Sequence, residues 1–242
     1  MNDASKSQSS PICNGADTVR IGLPPWKRAL DLVLILLTAP LTIPLAAAIA
    51  LLIKLCSRGP ALFRQVRVGY QEQPFMCLKF RTMKVNADTN GHRQYLHQLI
   101  ASDADAPMTK LDRKGDSRLI PFGAMLRATG LDELPQLINV LRGEMSLVGP
   151  RPCVPYEAEQ YQAWHRGRFA AAPGLTGWWQ VCGKNNTSFN EMIQMDIWYA
   201  EHKCFWLDLK IVLFTVPALL SQVLEVRQPN RSLSPQAVEK AM

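Results

Sequence analysis

The sequence predicts an α/β fold that is mainly helical, a small membrane-associated domain with an N-terminal re-entrant membrane helix hairpin and interfacial amphipathic helices. Three observations predict it. From Ala29 to Ile53 the only charged residue is Asp31. A second apolar stretch runs from Phe205 to Leu224, interrupted by Asp208, Lys210 and Pro217. Between the two lie short alternating segments and a stripe of leucines and isoleucine at helical spacing.

Residues 1–22 are rich in Ser, Asn, Asp and Gly and read as a disordered tail. Residues 23–58 form the membrane element. A straight helix over 29–53 reaches about 37 Å at 1.5 Å per residue, enough to cross a hydrocarbon core of about 30 Å. Pro40 and Pro44 each remove a helix hydrogen bond and favour a kink. Lys27 and Arg28 precede the apolar run and Lys54 and Arg58 follow it, so charge asymmetry sets no orientation. A helix that enters, breaks near Pro44 and leaves by the same face puts all four cations on one side. That hairpin is the expectation, with a simple span or a buried core helix as alternatives. The run starts late and continues into Lys54 without a clear small-residue cleavage pattern, which argues against a signal peptide.

Residues 59–226 form the globular part. Ala61–Val68 alternates like a strand, Gly69-Tyr70-Gln71-Glu72 reads as a turn, and Phe75–Phe80 as a returning strand. Lys79 and Arg81 occupy alternate positions and so share a face if the strand continues; a solvated strand edge explains such cations equally well. Residues 86–118 are polar and predict a loop-rich lid with one short helix around Tyr95–Ile100. Leu134, Leu137, Ile138 and Leu141 predict an amphipathic helix that buries this stripe, begun by Leu131-Asp132-Glu133 and closed by Arg142-Gly143. Pro135 is tolerated in its first turn, where N–H groups lack intrahelical partners. Pro150 and Pro152 fix the backbone on both sides of Arg151. Phe205–Leu224 reads as an interfacial helix, with a core helix as its competitor. Residues 227–242 form a C-terminal tail.

The chain has 242 residues, 48% of them apolar, and a net charge of +7. The charge favours an anionic partner: an acidic membrane face or a phosphorylated ligand. No compact basic block or nucleic-acid motif appears, which argues against a nucleic-acid partner. The cysteines (Cys13, Cys56, Cys77, Cys153, Cys182, Cys204) are scattered and form no CxxC pair, a reduced, cytosolic pattern. With no HExxH among the four histidines, no zinc site is expected.

Asp132 and Glu133 carry the chemistry. Carboxylates in a first turn ordinarily complement the helix dipole, at about 0.3–1 kcal/mol each. Here they lie between Arg127 and Arg151 on a membrane-tethered chain. Adjacent helical positions diverge by about 100°, so one carboxylate can bind a metal while the other attacks phosphorus. Mg²⁺ takes one or two protein carboxylates and completes its shell with water and phosphate oxygens. Guanidinium groups match phosphate bidentately and stay charged. Arg127, Arg151 and Lys184 are therefore candidate phosphate ligands, with Lys79 and Arg81 as further cations.

In order and spacing these residues resemble the bacterial sugar transferase family, the monotopic polyprenyl-phosphate phosphoglycosyl transferases. The resemblance runs from about Lys27 to Leu220. It includes Lys27-Arg28 with Asp31, Pro44, Gly59-Pro60, Gln65-Val66-Arg67-Val68-Gly69 and Lys79-Phe80-Arg81-Thr82-Met83. It continues through Leu131–Leu137, Ser146-Leu147-Val148-Gly149-Pro150-Arg151-Pro152, Pro173–Trp178 and Gln180-Val181-x-Gly183-Lys184-Asn185. The resemblance implies a two-step exchange in which Asp132 attacks the sugar-bearing phosphorus of a nucleotide diphosphate sugar and expels a nucleoside monophosphate. Polyprenyl phosphate then takes the phosphosugar. It implies that Glu133 helps hold Mg²⁺, that Arg151 is the leading phosphate ligand, and that the membrane helix is re-entrant. It also implies a bacterial inner-membrane protein with its catalytic domain on the cytoplasmic face, downstream glycosyltransferases as partners, and a role in starting exopolysaccharide, O-antigen, capsule or glycan synthesis. Three positions depart from the family pattern: Ile43 where serine often precedes the proline, Ala172 where arginine is common, and Lys184 where many members have arginine. The competing readings are a phosphohydrolase using the same two carboxylates and a basic membrane scaffold without catalysis. No motif reads the sugar, the nucleobase, the polyprenol length or the oligomeric state.

Overall fold

The computed structural model describes residues 22–85, 99–100, 118–182 and 187–227, with side chains described to 219. The tail at 1–21, the lid segment apart from Leu99, Ile100 and Arg118, Lys184 and the tail beyond 227 lie outside the described residues. Leu99 and Ile100 are helical, at the end of the short helix expected there.

Helix α1 runs from Pro25 to Cys56 with Pro25 in its first turn and Pro40 and Pro44 inside it. Where two arms separated by a break were expected, the structure has one continuous helical element. Its middle has almost no protein partner: Leu36 is 76% exposed, and Leu37, Leu41 and Ile43 are similarly bare. Its two ends are packed. Ile35 joins a cluster with Val140 and Met145, while Ile49 and Ile53 join Phe80, Ile120 and Leu126.

Strands β1 (Leu62–Val68) and β2 (Pro74–Phe80) form the expected antiparallel hairpin, with Leu62 opposite Phe80 and Val68 opposite Pro74. The chain reverses through left-handed Gln71 and Glu72. Helix α2 (Gly123–Thr129) ends at left-handed Gly130 (φ 72°), and a separate 3₁₀ turn, Leu131–Glu133, follows it. Helix α3 (Gln136–Arg142) then begins beyond Pro135. Asp132 and Glu133 thus belong to a turn between two helices, because the glycine redirects the chain before α3 starts.

The burial of α3 meets the expectation in part: Leu134 and Leu137 pack against the core, while the rest of the stripe does not. The buried residues of the helix are Gln136, Asn139 and Val140, and Ile138 and Leu141 are exposed. The partner element explains this. The Asn139 amide accepts from the Leu78 N–H (3.0 Å) and donates to the Met76 carbonyl (2.7 Å), closing the free edge of β2 as another strand would. A buried strand edge needs polar partners, so α3 turns Gln136 and Asn139 inward beside Val140.

Strand β3 (Ser146–Val148) leads into Arg151 and a short helix, α4 (Pro155–Ala158). β3 pairs in parallel with β4 (Gly174–Thr176), Ser146 opposite Gly174. The approach is so close that a Cβ on Gly174 would lie 2.1 Å from the Gly149 nitrogen. Helix α5 (Trp178–Cys182) and α6 (Phe189–His202) follow. A capping box starts α6, Ser188 and Glu191 exchanging hydrogen bonds, and its Phe189, Met192 and Ile193 fill the main aromatic core with Tyr161, Phe169 and Trp179. Helix α7 (Phe205–Arg227) begins with buried Asp208 and presents Trp206, Leu213 and Val216 outward. The fold is thus mostly helical with two small sheets. The long apolar helix and the bare apolar side chains of α7 suggest association with a membrane.

Candidate active site

Gly130 in the left-handed region turns the chain so that the Leu131–Glu133 turn faces β2, and the Glu133 N–H bonds the Gly130 carbonyl at 3.0 Å. From β2, Lys79 Nζ reaches Glu133 Oε1 at 2.6 Å. The Asp132 carboxyl is pushed up to about 6, chiefly by burial and next by the Glu133 charge; Lys79, Arg127 and Arg151 act against the shift. The structure therefore brings Asp132, Glu133, Lys79, Arg127 and Arg151 into one electrostatic neighbourhood. A cleft beside the turn is lined by Arg67, Lys79, Glu133, Arg151 and Gln180, among others.

Arg151 is delivered by long-range packing. The parallel β3–β4 pair and the glycine contact fix Gly149, and buried Arg168 donates to the Arg151 carbonyl at 2.8 Å. Arg168 is itself held by Asp196 at 2.6 Å and by the Tyr161 hydroxyl. No local pattern marks Arg168, since its partners are distant in the chain. Arg67 is different. The sequence places it in the Gln65–Gly69 motif, on the same strand face as Gln65, yet its role in the cleft appears only when the hairpin is seen.

Arg81 does not join the site. It lies just past the end of β2 and donates to the Arg58 and Ser57 carbonyls at 2.7 and 3.0 Å. It ties down the chain just past the C-terminus of α1. Sharing a strand face with Lys79 did not bring it to the same ligand, because the chain after α1 takes its guanidinium first. Lys27 and Arg28 also act as tethers within the protein. Lys27 is 1% exposed and bonds Asp208, the Tyr199 hydroxyl and the Val148 carbonyl. Arg28 bonds the Val140 and Leu141 carbonyls at the end of α3. Lys27 is therefore withdrawn from any lipid headgroup. Pro44 is exposed in the unpacked middle of α1. Lys184 falls outside the described residues.

Two carboxylates side by side, with one pushed up toward neutral pH, are a donor set that suits a divalent cation completed by phosphate oxygens. Among the described residues no cluster of three or more His, Cys, Asp or Glu could hold a metal by itself. Fold and site together give a protein with a long, bare apolar helix that suggests membrane association and an acidic turn faced by cations suited to phosphate.

The chain belongs to the bacterial sugar transferase family, whose profile matches residues 24–222. It is 42% identical over 215 residues to the UDP-glucose:undecaprenyl-phosphate glucose-1-phosphate transferase of Caulobacter vibrioides, covering 86% of this chain and 74% of that one. It is 36% identical over 226 residues to the exopolysaccharide production protein ExoY of Rhizobium meliloti, covering 90% and 97%. A sugar transferase of Haemophilus influenzae is 41% identical over 167 residues, covering 68% of this chain and 34% of its own length. The chain thus spans about a third of that relative and most of the other two.

Proposed function

We propose that this protein transfers a sugar phosphate from a nucleotide diphosphate sugar, a UDP-sugar by analogy with the Caulobacter relative, to polyprenyl phosphate. The observation that carries the reading is the acidic turn. Asp132 lies where Lys79, Arg127 and Arg151 all act on its carboxylate, while the neighbouring Glu133 is held by Lys79. In the first step an Asp132 oxygen bonds to the sugar-bearing phosphorus and the bridging P–O bond breaks. The electron pair leaves with the nucleoside monophosphate. In the second step a polyprenyl phosphate oxygen bonds to the same phosphorus and the Asp132–phosphorus bond breaks, which restores the carboxylate. No net proton transfer is required. Arg151 and Arg127 bind the phosphate oxygens and stabilise charge that develops on them, and Lys79 fixes Glu133. Mg²⁺ is the cation we assign to the two carboxylates, where it would neutralise phosphate oxygens.

The second substrate lives in the bilayer, and the membrane element fits that need. Lys27 and Arg28 hold the start of α1 to the body, and Ile49 and Ile53 pack its far end onto the same body. Both ends thus pack on the globular body while the apolar middle stands bare. This supports a re-entrant insertion from the cytoplasmic face of the bacterial inner membrane, with α7 lying in the interface. The lipid-linked product would be the primer for downstream glycosyltransferases in exopolysaccharide, O-antigen, capsule or other glycan synthesis.

The test is intact-protein mass spectrometry after incubation with Mg²⁺ and a panel of UDP-sugars without lipid. A phosphosugar adduct on Asp132, discharged by polyprenyl phosphate and absent in Asp132→Asn, is the expected result. Turnover with lipid but no adduct would replace the two-step route by direct transfer. Hydrolysis independent of lipid would make the protein a phosphohydrolase, and no turnover with any substrate would leave a scaffold.

A further inference from the structure

The cleft beside the acidic turn holds more positive charge than the attacked phosphate requires. Arg67 and Arg151 both line it. Among the described residues, the Arg67 guanidinium bonds only neutral oxygens: Gln65 Oε1 at 3.1 and 2.8 Å and the Pro152 carbonyl at 3.0 Å. No carboxylate pairs with Arg151 among the described residues. Burial and then the Arg151 charge push Arg67 below its ordinary value, with Glu157 acting against the shift. Gln65 grips Nε and Nη2 and Pro152 grips Nη1, so the fork is set in place before any ligand arrives.

The order of groups along the cleft matters. Arg151 and Arg67 line the cleft together with Glu133, the neighbour of Asp132 in the acidic turn, and the Arg151 charge acts on both Asp132 and Arg67. A ligand with two phosphate groups, one of them against Asp132, would place its second group toward Arg67. We infer that Arg67, together with Arg151, forms a subsite for a phosphomonoester, the group bonded to the phosphorus that Asp132 attacks. This rests on the transfer reading above. In-line displacement puts entering and leaving oxygens on opposite sides of phosphorus. The departing nucleoside monophosphate and the incoming polyprenyl phosphate both lie opposite Asp132, so the same subsite serves each in turn.

The experiment uses the full chain in nanodiscs, comparing wild type with Arg67→Gln and Arg67→Lys. UMP binding is measured calorimetrically, with uridine as control, alongside the rate at which polyprenyl phosphate discharges the Asp132 adduct. Loss of a charge-assisted contact predicts UMP binding about ten- to a hundredfold weaker in Arg67→Gln. Arg67→Lys should recover part of it, and uridine binding and the melting temperature should not move. Slower discharge in the same variant adds the lipid phosphate as an occupant; a defect confined to one half-reaction assigns the subsite to that phosphate alone. Unchanged UMP affinity together with unchanged discharge in a folded Arg67→Gln protein would overturn the subsite. If Arg67→Gln fails to fold, Arg67→Lys decides: it should weaken UMP several-fold, and wild-type affinity would overturn the proposal. Failure of wild type to form any adduct defeats the covalent route, and the UMP comparison still judges the subsite.

Discussion

Helices α3 and α6 are both amphipathic, and they bury different mixtures of side chains. In α6 the apolar residues Phe189, Met192 and Ile193 point into the core, and Glu191, Gln194 and Glu201 are exposed. In α3 the amides Gln136 and Asn139 are buried while Ile138 and Leu141 face out. The difference lies in what each helix meets. α6 packs mainly on an aromatic core, with Asp196 as its one buried carboxylate on Arg168, whereas α3 meets the open edge of β2, which asks for hydrogen bonds. Large apolar side chains are left outside on α3, as they are on the middle of α1 and on α7. Apolar side chains left outside in this way suggest surfaces that a membrane or a partner covers.

The sharpest way to break this comparison is to put a charge where α6 faces inward. Ile193 is fully buried, so Ile193→Asp places an unpaired carboxylate in the core, at a cost comparable with the whole stability of about 5–15 kcal/mol. Loss of cooperative melting in detergent is expected; a melt like wild type would mean that α6 is not seated as described.

Asn139→Leu tests the seating of α3 directly. An apolar residue suits an ordinary core, yet here it strands the Leu78 N–H and the Met76 carbonyl, a loss of about 2–4 kcal/mol. Denaturant titration checks this. An unchanged midpoint would show that the amide does not close the β2 edge.

A smaller effect concerns the turn that introduces α3. The Asp132 carboxyl is raised from 3.8 to about 6 in the folded protein. A raised carboxyl holds its proton more tightly when folded, so ionising it weakens the fold as pH rises from about 4 to about 6. Asp132→Asn removes that penalty. In chelator at pH 7 it should be more stable than wild type by about 1–2 kcal/mol, allowing for solvent screening at a half-buried group. The gain should vanish at pH 4. A variant equally stable or less stable at pH 7 would mean that the site does not disfavour the charge.

The smallest effect on folding belongs to the outer face of α3. Ile138→Ser combined with Leu141→Ser should change stability in detergent by no more than about 0.5 kcal/mol. The same pair should reduce sedimentation with lipid vesicles, since the lost surface is what the bilayer would cover. Equal vesicle binding would place this face against something other than lipid.

The sequence alone was enough for everything that rests on local spacing. The apolar run of α1, the β1–β2 hairpin, the helical period of α3, the acid pair at Asp132 and Glu133 and the resemblance to the sugar transferases were all legible there. Periodicity and turn residues are properties of neighbours in the chain, and the structure bears them out as elements. The tertiary structure decided which way those elements face. Asn139 inward and Ile138 outward depends on the β2 edge, 61 residues away from Asn139 at Leu78. Arg81 went to the chain just past α1 and Lys27 to Asp208, because burial near unpaired carbonyls or a carboxylate claims a cation before a substrate can. Arg67 and Arg151 share a cleft only because a hairpin and a parallel strand pair converge, and Arg168 braces Arg151 across the core. A chain of residues records which groups are present; which of them are left with charge to offer a phosphate is set by how the rest are satisfied on folding.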